Sequence, residues 1–334
     1  MKKLLILGAT GAMATYFIPE MLERGYEITG VALDASFFSH ERYTHITANA
    51  LDLDFLKSEI AKGYDGIVDF MVYKTMDDFG KYYPMYLDNC EHYIYFSTYR
   101  IYSNANPITE ESARILDISR PDNFVSYMEY SIYKAEGEDA LRSSGYKNFT
   151  IVRPAITYSK RRFQLTTLEA DTIIHRMKEG KVVTLPEGAM DCEATMSWAG
   201  DVARMLSAIM FNAQALGETY TVSTAEHHTW REIAEMYAKI YGLKYRVIPN
   251  EDYLDIVCPG EDYRPYAAQQ LYYDRCYDRV IDNSKILALM GDEQSNLMPL
   301  FDGLTLELSA LDTSLIRPNI EISSRMDEYL RVHS

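Results

Sequence analysis

A doubly wound parallel sheet with helices on both faces is the fold class this sequence predicts, and three observations predict it. Short apolar runs of strand length recur through the first half of the 334-residue chain: Lys3 to Leu7, Ile28 to Leu33, Asp65 to Met71, His92 to Phe96 and Phe149 to Val152. Helix-like segments separate them, the alternation that gives a parallel sheet with covered faces. The first run leads directly into a glycine turn, Gly8-Ala9-Thr10-Gly11-Ala12-Met13-Ala14, from which a helix opens near Ala12.

Each element then has a physical reason. Lys3 to Leu7 is apolar throughout after its lysine, as a strand buried on both faces must be. Gly8 can take backbone angles closed to other residues, Gly11 lets the main chain approach a pyrophosphate, and the helix start offers unpaired N–H groups to that anion. An ordinary strand-to-helix connection is the plain alternative for such a turn. The run Ile28 to Leu33 ends at Asp34, where a carboxylate that binds the adenosine ribose belongs in a Rossmann βαβ unit. Ala35 and Ser36 bring no charge for a 2′-phosphate, which favours NAD over NADP. A strand-end turn residue is the alternative for Asp34. Ligands of such sheets bind beyond the C-terminal strand ends, where Gly8, Asp34, Asp52, Tyr73 and Thr98 all fall. The candidate cofactor set is Gly8, Thr10, Gly11, Ala12, Met13, Asp34, Asp52, Leu53, Tyr73, Lys134 and Arg153.

Composition excludes several other classes. A net charge of −16 argues against nonspecific nucleic-acid binding and against anionic lipid surfaces, both of which need concentrated Lys and Arg. Met1 to Leu7 is too short for a secretory apolar region, and no later run reaches membrane-spanning length, so a cytoplasmic protein is expected. Cys90, Cys192, Cys258 and Cys276 are scattered without a C-x-x-C pair, which suits buried free thiols rather than zinc or disulfides. His227-His228 lacks a third ligand at metal spacing and reads as surface, so no metal is expected.

The chemistry rests on Tyr130 and Lys134, four apart in the helix-like segment Ser126 to Leu141 and therefore on one face. A tyrosine with its ordinary pKa of about 10 is a poor base near neutrality, and a neighbouring ammonium favours its phenolate. Thr98, at a strand end, is placed to hydrogen-bond the substrate oxygen. A chain with 28 tyrosines supplies a Tyr-x-x-x-Lys by chance, so the weight lies in its position after Ser97-Thr98 and before the strand Phe149 to Val152.

These motifs, in this order and over nearly the whole length, resemble the extended short-chain dehydrogenase/reductases of the nucleotide-sugar epimerase and dehydratase type. Phe96 to Ser103 is similar to the family's S-S/T-x-x-V-Y-G segment, and Ile151 to Ser159 to its L-R-P-x-N-V-Y-G. Ser197 to Ala203, Gly217 to Ala234 and Asp282 to Gly291 are similar to later family segments. The resemblance implies NAD as cofactor, Tyr130 as base, Lys134 as the lysine that also binds the nicotinamide ribose, and Thr98 as the catalytic hydroxyl. It implies cofactor places for Gly8, Gly11, Asp34 and Asp52, although in Asp52-Leu53-Asp54 a helix cap for Phe55 to Lys62 is an open alternative. Arg153-Pro154 sits where the family turns from cofactor lobe to substrate lobe. A homodimer is implied as well.

Departures from the family pattern narrow the reaction. Dehydratases of this type carry Asp-Glu after the catalytic threonine, whereas Tyr99 and Arg100 stand here, leaving no acid and base for elimination by that route. Decarboxylases want a glutamate nearby, and Arg100 does not supply one. An epimerase needs only the oxidation machinery and room for a keto sugar to turn, so an epimerase acting at C4 is expected. The alternatives are a reductase or dehydrogenase with net redox change and, from another class, a cofactor-binding regulatory or RNA-associated protein. Ile156 and Ala194 replace an asparagine and an arginine common in the family, so the sugar-nucleotide clamp is altered. Lys160-Arg161-Arg162 can capture a diphosphate or be a solvated charge run; Arg275 or Arg279 can serve instead. The substrate-binding candidates are Thr98, Arg100, Tyr130, Arg161, Arg162 and Arg275. Tyr272, Tyr273 and Tyr277 suit a sugar or base pocket or interface packing. The segment Tyr102 to Phe124 reads as a loop able to close over substrate. The expected organisation is an NAD-binding lobe over 1–155, completed by a strand near 219–224, and a substrate lobe over 156–334.

Overall fold

The computed structural model describes residues 1–36, 38–73, 75–118, 129–260 and 262–333. Its centre is a sheet of seven parallel strands: β1 (Lys3–Leu7), β2 (Glu27–Ala32), β3 (Tyr43–Thr47), β4 (Gly66–Asp69), β5 (His92–Phe96), β6 (Phe149–Val152) and β7 (Thr219–Tyr220). Their spatial order is β7-β6-β5-β4-β1-β2-β3. The order reverses beside β1, which pairs with β2 on one side and β4 on the other, with Leu5 opposite both Thr29 and Ile67. That reversal opens a crevice at the C-terminal strand ends.

The strands are apolar because both sheet faces are covered. Leu4 and Ile6 face one layer, where they meet Phe17 and Ile18 of α1 (Ala14–Glu23), together with Val68 and Ile94. Leu5 and Leu7 face the other, with Leu56 and Ile60 of α2 (Leu53–Ile60) and Leu141 of α3 (Glu129–Ser143). Val202 and Leu206 of α4 (Ala199–Ile209) complete the first layer. β7 joins the main sheet by pairing Tyr220 with Val152, although it lies far along the chain. A separate hydrophobic cluster is built from later residues, among them Tyr158, Phe163, Trp230, Tyr237 and Leu304, with Tyr99 and Tyr102 reaching into it.

Several boundaries differ from the sequence reading. α1 opens at Ala14, after Met13, rather than at Ala12. α2 begins at Leu53 because the Asp52 side chain accepts the N–H groups of Asp54 and Phe55, so the cap alternative for Asp52 is realised. The β3 strand has no counterpart in the reading, since its polar sequence Tyr-Thr-His-Ile-Thr gives no apolar run at this sheet edge. The first residues of the predicted helix, 126–128, and the loop positions 119–124 lie outside the described residues. The four cysteines are free but half-buried rather than buried.

Candidate functional site

The glycine turn hangs on β2. The amides of Gly8 and Ala9 both donate to Val31 O, at 2.9 and 3.1 Å, and Gly11 N donates to Gly8 O at 3.0 Å. Gly8 has φ +82°, and a Cβ there would also stand 3.1 Å from Phe70 Cβ. Gly30 in β2 is required by proximity instead, because a Cβ would fall 2.7 Å from Ala9 Cβ and 2.5 Å from Tyr43 Oη. No side chain caps the start of α1; the amides of Thr15, Tyr16 and Phe17 donate to Gly11 O and Met13 O, which leaves those of Ala12, Met13 and Ala14, among the described residues, for a ligand at the crevice. This cradle, passable only to backbone, fits a dinucleotide pyrophosphate.

A cavity of about 390 Å³ begins at Met13 beside that turn. Phe70, Met71 and Phe96 line it from the ends of β4 and β5, and Thr98, Tyr130, Lys134, Arg162 and Arg275 line it further on. A second cavity of about 420 Å³ shares Arg100, Tyr130, Glu169 and Gln270 with the first and continues towards Tyr263 and Tyr266. Residue 98 and the pair 130 and 134, more than thirty positions apart in sequence, therefore surround one space.

Thr98 is buried and starts a tight turn, its Oγ1 accepting from Arg100 N at 3.3 Å. Tyr130 is half-buried on α3 and meets the Tyr133 ring edge-on at 5.6 Å. Lys134, one helical turn later, is buried and donates to Phe96 O at 2.6 Å and Met71 O at 3.5 Å, tying α3 to the ends of β5 and β4. Burial pushes its ammonium down to about 8, against an opposing pull from Asp69. Asp69 is buried in turn and accepts from Tyr73 Oη, Tyr93 Oη and Met71 N at 2.9 to 3.0 Å. Burial raises its carboxyl.

A second buried carboxylate organises the opposite wall. Asp274 accepts from Tyr99 Oη and Arg279 Nε at 3.2 Å each and from Arg275 Nη1, and Arg100 Nε lies 3.3 Å from it. Burial pushes the Asp274 carboxyl up, but the guanidiniums of Arg275, Arg279 and Arg100 outweigh it and hold the group below its usual range. Arg275 also donates to Thr166 O at 2.7 Å, bracing a threonine at φ +53°, a backbone conformation rare for a β-branched residue. Arg100 lies over the face of Tyr130, its Cζ 5.5 Å from the ring centroid. Glu169, with about half its side chain open to the cavity, accepts from Gln164 Nε2 and stands 4.0 Å from Arg162.

Other sequence candidates lie elsewhere. Arg153 does not line either cavity: its guanidinium is buried against Glu138, at 2.8 and 2.6 Å, and against Tyr102 Oη at 2.8 Å. Tyr73 is buried in the α2 and α3 layer with its hydroxyl on Asp69, and Leu53 packs against that layer. Asp34 is exposed at the end of β2, its carbonyl accepting from His45 Nε2 at 2.8 Å. Burial lowers Arg161 and the carboxylate of Asp34 pulls it back up, so the two share one electrostatic neighbourhood. Thr10 and Ala12 are half-buried in the glycine turn. Tyr272 bonds Glu251 and Tyr273 stacks edge-on with Tyr277, whereas Tyr263 and Tyr266 line the second cavity. His228 pairs with Glu226 at 2.8 Å, and the described residues hold no group of His, Cys, Asp or Glu suited to a metal. The sequence reading missed Asp69, Glu169, Gln270 and Asp274. Only Asp69 left a trace, a charge inside the strand-like run Asp65 to Met71.

No family model and no curated protein sequence matches the chain. Solved structures do. An epimerase of Methanothermobacter thermautotrophicus has a TM-score of 0.69 at 14% identity over 95% of this chain and 94% of its own. The dTDP-glucose 4,6-dehydratase of Bacillus anthracis, solved with NAD, has 0.69 at 15% over 92% and 96%. The UDP-glucose 4-epimerase of Thermus thermophilus, also solved with NAD, has 0.64 at 18% over 92% and 98%. The chain thus carries, over nearly its whole length, the fold of the extended short-chain dehydrogenase/reductases.

Proposed function

We propose that this protein is an NAD-dependent nucleotide-sugar epimerase, acting at C4 through a transient keto sugar. The observation that carries the reading is the convergence of Thr98, Tyr130 and Lys134 on one cavity that begins at the glycine turn, while the two residues after Thr98 are Tyr99 and Arg100. The cradle of Gly8, Gly11 and the open α1 start would hold the pyrophosphate, with Asp34 at the ribose end. NAD bound there supplies a hydride acceptor that can return the hydride to the same carbon.

The chain's own residues manage the proton. Tyr130 takes the proton from the reacting hydroxyl and gives it back to the opposite epimer. Lys134, cationic below about pH 8, brings a positive charge to the cavity that Tyr130 lines. Thr98 holds the substrate oxygen by a hydrogen bond. The Arg100 guanidinium above the Tyr130 ring adds positive potential on the same side. Phe70, Met71 and Phe96 supply an apolar part of the cavity wall.

Tyr130→Phe tests this assignment. It removes the proton acceptor and leaves the ring, so turnover is expected to fall at least about a hundredfold. NAD affinity, measured by fluorescence titration, should change less than about threefold, since roughly 0.6 kcal/mol is the most a peripheral contact would cost here. Turnover within a few fold of wild type would remove Tyr130 from the mechanism.

A further inference from the structure

We propose that the substrate bears a carboxylate next to the reacting carbon and that Arg100 receives it, an inference that rests on the epimerase reading above. Three guanidiniums, Arg100, Arg275 and Arg279, surround the single carboxylate of Asp274, leaving an excess of two positive charges in a dry cluster. The three are not equivalent. Arg275 spends its donors on Thr166 O, Tyr99 Oη and Asp274, and Arg279 on Asp274 and the carbonyls of Tyr102, Ser103 and Tyr273. Arg100 keeps only the 3.3 Å ion pair, and its buried Nε has no hydrogen-bond partner among the described residues. A guanidinium offers five N–H donors in a planar fork matched to a carboxylate. Arg100 is thus the cation with donors to spare, and it borders both cavities.

Its place decides which anion it meets. Arg100 stands two residues after Thr98 and lies over the Tyr130 ring, so its partner belongs to the part of the substrate that carries the reacting hydroxyl. A diphosphate, one sugar ring away from that carbon, would meet the more distant wall. Two carboxylates line the second cavity with Arg100, and among the described residues both have other partners: Glu169 is engaged by Gln164 and Arg162, and Asp171 by Thr172 and Asn319. A hexuronic acid presents its carboxylate on the carbon next to C4, which is the spacing this arrangement requires.

Matched nucleotide sugars that differ only in a C6 carboxylate or CH2OH test the proposal: UDP-glucuronate with UDP-glucose, and GDP-mannuronate with GDP-mannose. With the wild-type protein and NAD, kcat/KM for the acid is expected to exceed that of its neutral twin by roughly tenfold to a hundredfold, the range of one charged hydrogen-bonding contact. Arg100→Gln should collapse that ratio mainly through KM for the acid, and Arg100→Lys should recover part of it. Undiminished NAD binding by the variants shows that they fold. Equal or better use of the neutral sugar, or an Arg100→Gln enzyme that keeps the preference, overturns the proposal and leaves the epimerase reading standing. Turnover of neither member of either pair overturns both.

Discussion

At the residue scale the site turns on Lys134, an ammonium held in a dry place by main-chain carbonyls. Its pKa is about 8 in the folded protein, through burial, against about 10.4 in an unfolded chain. Turnover that needs its charge should therefore fall as pH rises through about 8. Stability moves the other way. Between pH 8 and 10.5 the unfolded chain binds the extra proton, so unfolding becomes harder as pH rises, and below pH 8 the buried charge costs on the order of 3 kcal/mol. Lys134→Met escapes that cost but forfeits the charge-assisted bond to the buried Phe96 O, worth about 1.5 to 3 kcal/mol, so the two roughly cancel. We expect it to lose turnover while its Tm at pH 7 stays within a few degrees of wild type; a large fall in Tm in thermal unfolding would show that the charge is not a burden. Thr98, Tyr130 and Lys134 were legible in the sequence because helical spacing and strand ends fix where such groups point. Asp69, Asp274 and Glu169 were not, since each acquires its meaning from partners distant in the chain. Arg153 shows the reverse case: it borders a strand end in sequence, yet its side chain turns inward to Glu138.

At the element scale the cofactor cradle is a joint between the β1 turn and β2, and Gly30 is its pivot. Gly30→Ala would put a methyl 2.7 Å from Ala9 Cβ, which the turn can accommodate only by lifting away from Val31 O. Such overpacking costs about 1 to 3 kcal/mol. NAD Kd should rise at least about tenfold, the equivalent of roughly 1.4 kcal/mol, with a lowered Tm; unchanged affinity by calorimetry would show that the turn's position does not set binding. The strands β1, β5 and β6 match their apolar runs residue for residue, because a strand covered on both faces can hold little else. β3, an edge strand with half-exposed side chains, carries no such mark. Gly8 and Gly11 could be read from sequence as a turn, but the need for glycine at 30 comes from the approach of a neighbouring strand and is invisible without it.

At the scale of the whole molecule, function depends on bringing groups from the sheet and from the later residues to one space. Tyr99 and Arg100 leave the end of β5 and meet Asp274, Arg275 and Arg279, while Arg162 and Glu169 close the cavity from the same side. These contacts set a cationic cleft in a chain of net charge −16, which suits the anionic cofactor and substrate proposed above. The order of motifs was enough to reach the fold class. It could not reach the substrate wall, because Arg275 and Glu169 are placed by packing between distant segments rather than by any local pattern. Among the described residues no helix is long and apolar enough to cross a membrane. The most direct test of the account is to incubate the protein with catalytic NAD and a panel of nucleotide sugars, separating the products while absorbance at 340 nm is recorded. An epimer at C4 with no lasting NADH is the expected result. NADH accumulating in step with an oxidised product would contradict it and make the protein a dehydrogenase.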